Sequence, residues 1–134
     1  MKYEKSCGTI VVKDGKVLMV TQIDNVCGFP KGHIEQSETE LETAIRETKE
    51  ETNVLVKANE KYRYLISYTL NENIEKDVVY FLAREVCDSE LINQESEIAK
   101  VEWVDISLVR NKITYDNLKE LWDKALIDIK NNQF

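Results

Sequence analysis

Three glutamates crowd into the segment RETKEETNV, residues 46–54. On a helix, Glu47, Glu50 and Glu51 would span about 100° of the circumference, and Glu51 would lie about 20° from Ala44 on the apolar side. Like charges at these spacings destabilise an exposed helix by a few tenths of a kcal/mol per pair. Because hard cations such as Mg²⁺ prefer carboxylate oxygens, a bound divalent cation would turn this repulsion into binding.

The loop before this segment supports a cation site. Its sequence, GFPKGH (residues 28–33), offers a glycine-proline turn with exposed backbone carbonyls and a lysine. Carbonyl oxygens, waters and substrate phosphates commonly complete the coordination of Mg²⁺. The alternative is an ordinary solvated helix face, for which Arg46 and Lys49 supply the opposite charge. Loop and helix together favour the metal site.

The spacing of these residues resembles the Nudix box, G-x5-E-x7-R-E-U-x-E-E-x-G-U, where U is aliphatic. The matching positions within residues 32–54 are Gly32, Glu38, Arg46, Glu47, Glu50, Glu51 and Val54. Two positions differ from the motif. Thr48 replaces an aliphatic residue but keeps a β-branched methyl, and Asn53 replaces glycine but tolerates the left-handed conformation that ends a helix.

The resemblance implies a hydrolase of nucleoside diphosphates linked to another group, with Mg²⁺ or Mn²⁺ as cofactor. It also implies the α/β class and an α/β/α sandwich with a mixed β-sheet between helices. A metal ion can activate water and neutralise the charge that develops on phosphorus, so this chemistry needs no protein nucleophile.

By the same resemblance, Glu50 and Glu51 are metal ligands together with the main-chain carbonyl of Lys31. Glu47 is a ligand or the base that activates water. The residues that would orient these glutamates are Arg46 and Glu38. A further acidic metal ligand maps onto Glu97, whose alternative is an exposed glutamate in the charged loop QESE.

The stretch FPKGHIEQSETELETAIRETKEETNV also resembles asymmetric diadenosine tetraphosphate hydrolases, which release ATP and AMP. This similarity implies substrate-binding roles for Lys31, His33, Lys76, Tyr80 and Tyr115. The two tyrosines would sandwich an adenine ring, and His33 would contact a phosphate or stabilise the transition state. The alternatives are tyrosines packed at the edge of the core and an exposed loop histidine.

Three other functions remain open. An RNA 5′-pyrophosphohydrolase would need a basic groove beside the site, because phosphate contacts dominate affinity for RNA. A housecleaning nucleoside triphosphate pyrophosphatase would differ in its substrate pocket. A non-catalytic nucleotide-sensing module would be favoured by the loss of a glutamate of the box, and none is lost.

Hydrophobic periodicity predicts the elements that must position these residues. Residues 6–12 and 16–23 form a β-hairpin around the type I′ turn signal Asp14-Gly15. Ser37 and Glu40 make a capping box for a helix that ends at Asn53. Further strands are expected at 54–57, 62–70, 76–86 and 100–104, and a second amphipathic helix at 116–130.

Length and composition fit one domain over residues 1–134, which the resemblance implies is a Nudix domain. A net charge of -7 opposes non-specific binding to nucleic acid or to anionic membranes. No signal peptide and no apolar run of about 18 residues is present, so we expect a cytoplasmic protein, most simply a monomer. The three cysteines are odd in number and widely spaced, which predicts free thiols.

Overall fold

Seven strands and three helices make up the part of the chain, residues 2–131, that the computed structural model describes. The strands are β1 (Lys2–Lys13), β2 (Lys16–Gln22), β3 (Cys27–Gly28), β4 (Lys31–His33), β5 (Val56–Asn71), β6 (Ile74–Glu85) and β7 (Ile98–Asp105). The helices are α1 (Glu40–Thr52), α2 (Ile106–Lys112) and α3 (Asp116–Asn131).

Strand β1 organises the sheet. It pairs in parallel with β6 and antiparallel with β2 and β4, while β5 joins the far side of β6. Strand β2 also pairs antiparallel with β3 and β7. Helix α1 packs on one face of the sheet and α3 on the other. The predicted mixed sheet between helices is therefore confirmed.

The hairpin and both long helices form where the sequence predicts them. Asp14 (φ 49°) and Gly15 (φ 75°) both adopt positive φ, as a type I′ turn requires. Asn53 closes α1 in the left-handed conformation, with φ 68°. Helix α3 buries one stripe of side chains, namely Leu118, Leu121, Trp122 and Ala125.

The predicted capping box was wrong by two residues. Thr39, not Ser37, is the N-cap of α1: its hydroxyl accepts from the Glu42 N–H, and the Glu42 carboxylate accepts from the Thr39 N–H. Ser37 has φ 76°, whereas an N-cap needs an extended backbone. Both residues satisfy the pattern Ser/Thr-x-x-Glu, so the pattern alone cannot choose between them.

Four other elements differ from the expectation. Strand β5 is continuous from Val56 to Asn71, with an irregularity in its register between Asn59 and Arg63, where the pattern predicts two separate strands. The short strands β3 and β4 lie in the segment predicted as a loop. Helix α2 was not predicted, because seven residues capped by Asp105 are too few to show a periodic stripe.

Two further observations concern membrane-spanning helices and the cysteines. Among the described residues, no helix is both long and apolar enough to cross a membrane. All three cysteines are free thiols, as predicted, with Cys7 and Cys27 buried and Cys87 exposed.

Charged contacts attach the start of α1 to the sheet. The Glu40 carboxylate accepts two hydrogen bonds from Arg63 of β5, at 2.7 and 2.8 Å, and also pairs with Lys5 of β1. These contacts, led by the hydrogen bonds from Arg63, lower the pKa of Glu40 to about 2. Glu40 therefore fixes the beginning of the helix that carries the acidic segment.

This ion pair predicts a pH-dependent contribution to stability. Because the folded-state pKa of Glu40 lies below its ordinary value, the contribution is full above about pH 4.5 and disappears as the pH falls through about 2. Glu40→Gln should lower the free energy of unfolding by about 1 kcal/mol at pH 7, and the effect should shrink as the pH falls from about 4.5 toward 2. Urea unfolding at several pH values measures this, with Glu60→Gln as the exposed control. An equal effect at both pH extremes would contradict the prediction.

Candidate active site

Arg46 gathers the acidic residues at the edge of the sheet. Its guanidinium donates two hydrogen bonds to Glu38, at 2.6 and 2.9 Å. It also donates to Glu47 at 2.8 Å, to Glu50 at 3.1 Å and to the His33 carbonyl at 3.1 Å. One planar side chain thus connects α1 to β4 and aligns two of the predicted catalytic glutamates.

Glu47 and Glu50 form an acidic cluster with Glu95. One carboxylate oxygen from each of the three lies within 4.8 Å of the others. Glu95 belongs to the β6–β7 connection (residues 86–97), which contains no helix or strand. Glu97, the residue expected from the sequence, is exposed and is not part of this cluster; its main-chain carbonyl accepts from the Ile23 N–H. Within the described part of the chain, Glu95 and not Glu97 is the residue of this connection that joins Glu47 and Glu50 in the cluster, and the role of Glu97 as a metal ligand stays a prediction.

Gly32 makes room for the Glu47 carboxylate. It lies on β4 opposite Cys7 of β1, and a Cβ atom at Gly32 would be only 2.0 Å from Cδ of Glu47. Only glycine permits this close approach of the side chain to the strand backbone. The cluster is a set of oxygen donors of the kind that hard divalent cations prefer, so the residues present fit Mg²⁺ or Mn²⁺.

Glu51 follows Glu50 on α1 but is not one of the three carboxylates of this cluster. Its carboxylate accepts a hydrogen bond from the Lys31 N–H at 3.1 Å. Burial raises the pKa of Glu51 to about 8 and also raises the pKa of Glu47. Two half-buried carboxylates that repel each other are costly as anions, and a divalent cation would relieve that cost. The role of the Lys31 carbonyl as a ligand stays a prediction.

A pocket of about 570 Å³ opens beside Glu51. It lies between the sheet and the start of α3, and it reaches from Lys31 and Glu51 to a group of aromatic side chains. These aromatic residues are Phe29, Tyr68, Tyr80 and Tyr115. Charged groups at one end and aromatic rings at the other suit a ligand with a phosphate chain and a flat base.

The two predicted tyrosines differ in exposure. Tyr80 is 2% exposed and packs edge-on against Phe29, with ring centroids 5.6 Å apart. Tyr115 is 57% exposed. Tyr68 of β5 was not predicted, yet it is half-buried and lines the same pocket. Burial is the main cause of a raised pKa of Tyr68, and the nearby Tyr115 also contributes. Tyr68 is thus better placed than Tyr80 to face Tyr115 across a ligand.

A signal for Tyr68 was present in the sequence. Aromatic and aliphatic residues alternate along this part of β5, at Tyr62, Tyr64, Ile66 and Tyr68. Side chains two apart on a strand share one face of the sheet. Tyr68 pairs in register with Lys76, one of the predicted substrate-binding residues.

Lys31 lines the pocket, and two further basic side chains, Lys76 of β6 and His33 of β4, lie next to each other. Lys76 is only 6% exposed, and its Nζ lies 3.2 Å from Nε2 of His33. Burial lowers the pKa of Lys31, of His33 and of Lys76. The described lysines that pair with a carboxylate within 4.0 Å are Lys5, Lys13, Lys100, Lys112 and Lys119. Lys31 is not one of these and lines the pocket, so it is available to an anionic ligand there.

Comparison with known proteins connects this geometry to a family. A family model described as the NUDIX domain matches residues 2–123. A Mycobacterium tuberculosis protein named as a mutator protein, MutT4, is 31% identical over 94% of this chain and 56% of its own length. The rat bis(5′-nucleosyl)-tetraphosphatase [asymmetrical] is 32% identical over 67% of this chain and 63% of its own length. The chain thus spans less than two thirds of these two proteins.

A solved structure shares the fold. The crystal structure of a Caenorhabditis elegans Ap4A hydrolase binary complex superposes with a TM-score of 0.84 at 22% identity, covering 96% of this chain and 99% of that one. This confirms the three-dimensional arrangement predicted from the sequence.

The fit of Glu47 against β4 predicts the effect of a single methyl group. Gly32→Ala should displace the Glu47 side chain and weaken Mg²⁺ or Mn²⁺ binding by roughly tenfold, because a carboxylate of the cluster moves away. Titration calorimetry measures this affinity. Gly28→Ala is the matched control, since its Cβ would meet only the Leu118 Cδ2 methyl, at 3.0 Å. Unchanged affinity in Gly32→Ala would show that Glu47 is not needed for the cation.

Proposed function

The chain belongs to the Nudix family, and from that membership we propose that it is a metal-dependent hydrolase that cuts diadenosine tetraphosphate into ATP and AMP. One observation carries the proposal: a single pocket joins Glu51 and Lys31 to the aromatic side chains of Tyr68 and Tyr115. The similarity to the rat tetraphosphatase and the shared fold with the Ap4A hydrolase support this choice of substrate.

The acidic cluster would hold the cofactor. Glu47, Glu50 and Glu51 are the proposed ligands for Mg²⁺ or Mn²⁺, and Glu95 takes the place first expected for Glu97. When bound, the cation activates water and neutralises charge on the phosphate. Burial raises the pKa of Glu47, which suits a base that accepts a proton from the attacking water. The water oxygen bonds to phosphorus, and the bond to the leaving phosphate oxygen breaks.

The other residues would bind the substrate. Lys31, Lys76 and His33 face the phosphate chain and compensate its charge. Tyr68 and Tyr115 stack on the adenine ring, and the buried Tyr80 supports the floor of the pocket. Arg46 contributes by holding the glutamates in place, as its hydrogen bonds to Glu47 and Glu50 indicate.

A second candidate substrate is a nucleoside triphosphate, because one similar protein is named as a mutator protein. The same carboxylates and lysines would serve that reaction, so only the base and the phosphate chain would differ. A cytoplasmic monomer is part of the main proposal, in keeping with three free thiols. If neither nucleotide is cut, two alternatives remain: triphosphorylated RNA as the substrate, or a non-catalytic protein that senses nucleotides.

The first test is a product analysis. Purified protein incubated with diadenosine tetraphosphate and Mg²⁺ should release ATP and AMP in equal amounts, measured by ion-exchange chromatography. Glu51→Gln should lower the rate at least about a hundredfold, because a proposed metal ligand is lost. Glu60→Gln, an exposed carboxylate on β5, should leave the rate unchanged.

The possible failures of this test are separable. If diadenosine tetraphosphate remains intact while a nucleoside triphosphate is cut and Glu51→Gln abolishes that reaction, the substrate is wrong and the metal chemistry holds. If neither these nucleotides nor triphosphorylated RNA reacts, the proposal that the protein is a hydrolase fails. The hypothesis of a non-catalytic nucleotide sensor then remains.

Loss of the aromatic ring of Tyr68 or of Tyr115 should change the affinity for the substrate without changing the turnover number. Tyr115→Ala and Tyr68→Ala should each raise KM about fivefold to a hundredfold, since stacking on a base is worth about 1–3 kcal/mol. Because the adenine is remote from the reacting phosphate, kcat should change little. Steady-state kinetics with Tyr3→Ala as control checks this; Tyr3 is 55% exposed, close to the 57% of Tyr115. An unchanged KM in both variants would remove the tyrosines from the substrate site.

A further inference from the structure

Asn53 does more than end helix α1. Its backbone is left-handed, which glycine, the residue of the Nudix box at this position, would also allow. Its side chain adds two hydrogen bonds that glycine cannot make: Oδ1 accepts from Lys49 Nζ at 2.6 Å, and Nδ2 donates to the Glu90 carbonyl at 2.9 Å. Since Lys49 can only donate, it orients the amide with Nδ2 toward Glu90.

The Glu90 carbonyl belongs to the β6–β7 connection, and two more hydrogen bonds join that connection to the end of α1. The Ile92 N–H donates to the Thr52 carbonyl at 3.2 Å. Gln94 Nε2 donates to the Lys49 carbonyl at 2.8 Å. All three bonds lie within the last turn of α1 and its cap, the part of the helix that also carries Glu50.

Glu95 depends on this attachment. It follows Gln94 directly, and its carboxylate lies within 4.8 Å of those of Glu47 and Glu50. The β6–β7 connection has no ladder of strand or helix hydrogen bonds to hold it. On the β7 side the segment is held by the Ile98 N–H, which donates to the Glu95 carbonyl at 3.1 Å, and by the Ile23 N–H, which donates to the Glu97 carbonyl. Without the bonds to α1 the other side of the segment would sample more positions, and repulsion from the two other carboxylates would favour those farther away.

We infer that Asn53 and Gln94 are positioning residues that hold Glu95 in the cation site and so increase the affinity for a divalent cation. This inference rests on the proposed function, because it takes the acidic cluster as the metal site. It explains why this chain has asparagine where the motif has glycine: the left-handed cap is kept, and a tether to the Glu95 segment is gained.

Manganese binding tests the inference without relying on activity. Free Mn²⁺ is followed by electron paramagnetic resonance during titration of the full chain in the wild type, Asn53→Gly, Glu95→Gln and the double variant. Asn53→Gly should raise the dissociation constant about threefold to tenfold, the effect of losing one tethering hydrogen bond. In the Glu95→Gln background the same substitution should have no further effect, because the side chain that it positions is gone.

Two more variants separate positioning from general destabilisation. Asn25→Gly is the matched control: Asn25 is also left-handed, with φ 71°, but lies between β2 and β3, so its replacement should leave Mn²⁺ affinity unchanged. Gln94→Ala removes a second tether and leaves the cap of α1 intact, so it should reproduce the Asn53→Gly pattern. Thermal unfolding of each variant confirms that the protein is folded at the titration temperature.

The outcomes distinguish the two proposals. If the Mn²⁺ affinity is unchanged in both Asn53→Gly and Gln94→Ala, the positioning role is overturned while the metal site stands. The same conclusion follows if Asn53→Gly weakens Mn²⁺ binding equally in the wild type and in the Glu95→Gln background. A Glu95→Gln variant that binds Mn²⁺ as tightly as the wild type also overturns it. If the wild type binds no Mn²⁺, the proposed function and this inference fail together.

Discussion

The arrangement of the acidic residues depends on the guanidinium of Arg46. Glu47 and Glu50 repel each other on one helix, and Glu95 approaches them from a separate segment. A single cation that donates to both helix glutamates and to Glu38 compensates this repulsion without occupying the position of a metal. Lysine could not replace it, because three carboxylates and the His33 carbonyl require several donors in one fixed plane.

Arg46 can act in this way only because α1 is docked in one position on the sheet. A buried hydrogen bond of 2.6 Å joins the hydroxyls of Thr9 and Thr48, so β1 and α1 also meet through a buried polar pair. Thr48 also donates to the Ala44 carbonyl. The threonine that departs from the motif is therefore matched by a partner on β1, and the helix keeps its position.

The same docking brings Glu47 against Gly32. The missing Cβ of that glycine leaves room for the Glu47 carboxylate, and Arg46, held by its bidentate contact with Glu38, donates to Glu47 and Glu50. Together they define where the oxygens point before any ligand arrives. A site organised in advance in this way loses little conformational entropy when it binds a cation.

Sequence patterns predicted those parts of the site that depend on local structure. The helical spacing of Arg46, Glu47 and Glu50 and the left-handed end at Asn53 are properties of one segment, so they could be predicted. The choice of Glu95 over Glu97 could not, because the register of the β6–β7 connection is decided by hydrogen bonds to α1 that are remote in sequence.

Tyr68 was missed for a related reason. The alternation along β5 shows that Tyr68 and Ile66 share a face, but it does not show that the start of α3, with Tyr115, closes over that face. Helix α2 lacked a readable pattern at seven residues. The sequence of a single segment does not show which other segment it contacts. Only the tertiary structure shows that Tyr68 and Tyr115 line the same pocket.

Burial acts on charges of both signs near the pocket. It disfavours the charged form of Glu51, which lines the pocket, and of Lys76, which lies next to His33, as the raised pKa of Glu51 and the lowered pKa of Lys76 show. Under the proposed function, a polyphosphate would stabilise the charged lysines and a divalent cation would stabilise the carboxylates, so each ligand would strengthen binding of the other. Such reciprocity would let a chain with a net charge of -7 accept a polyanion.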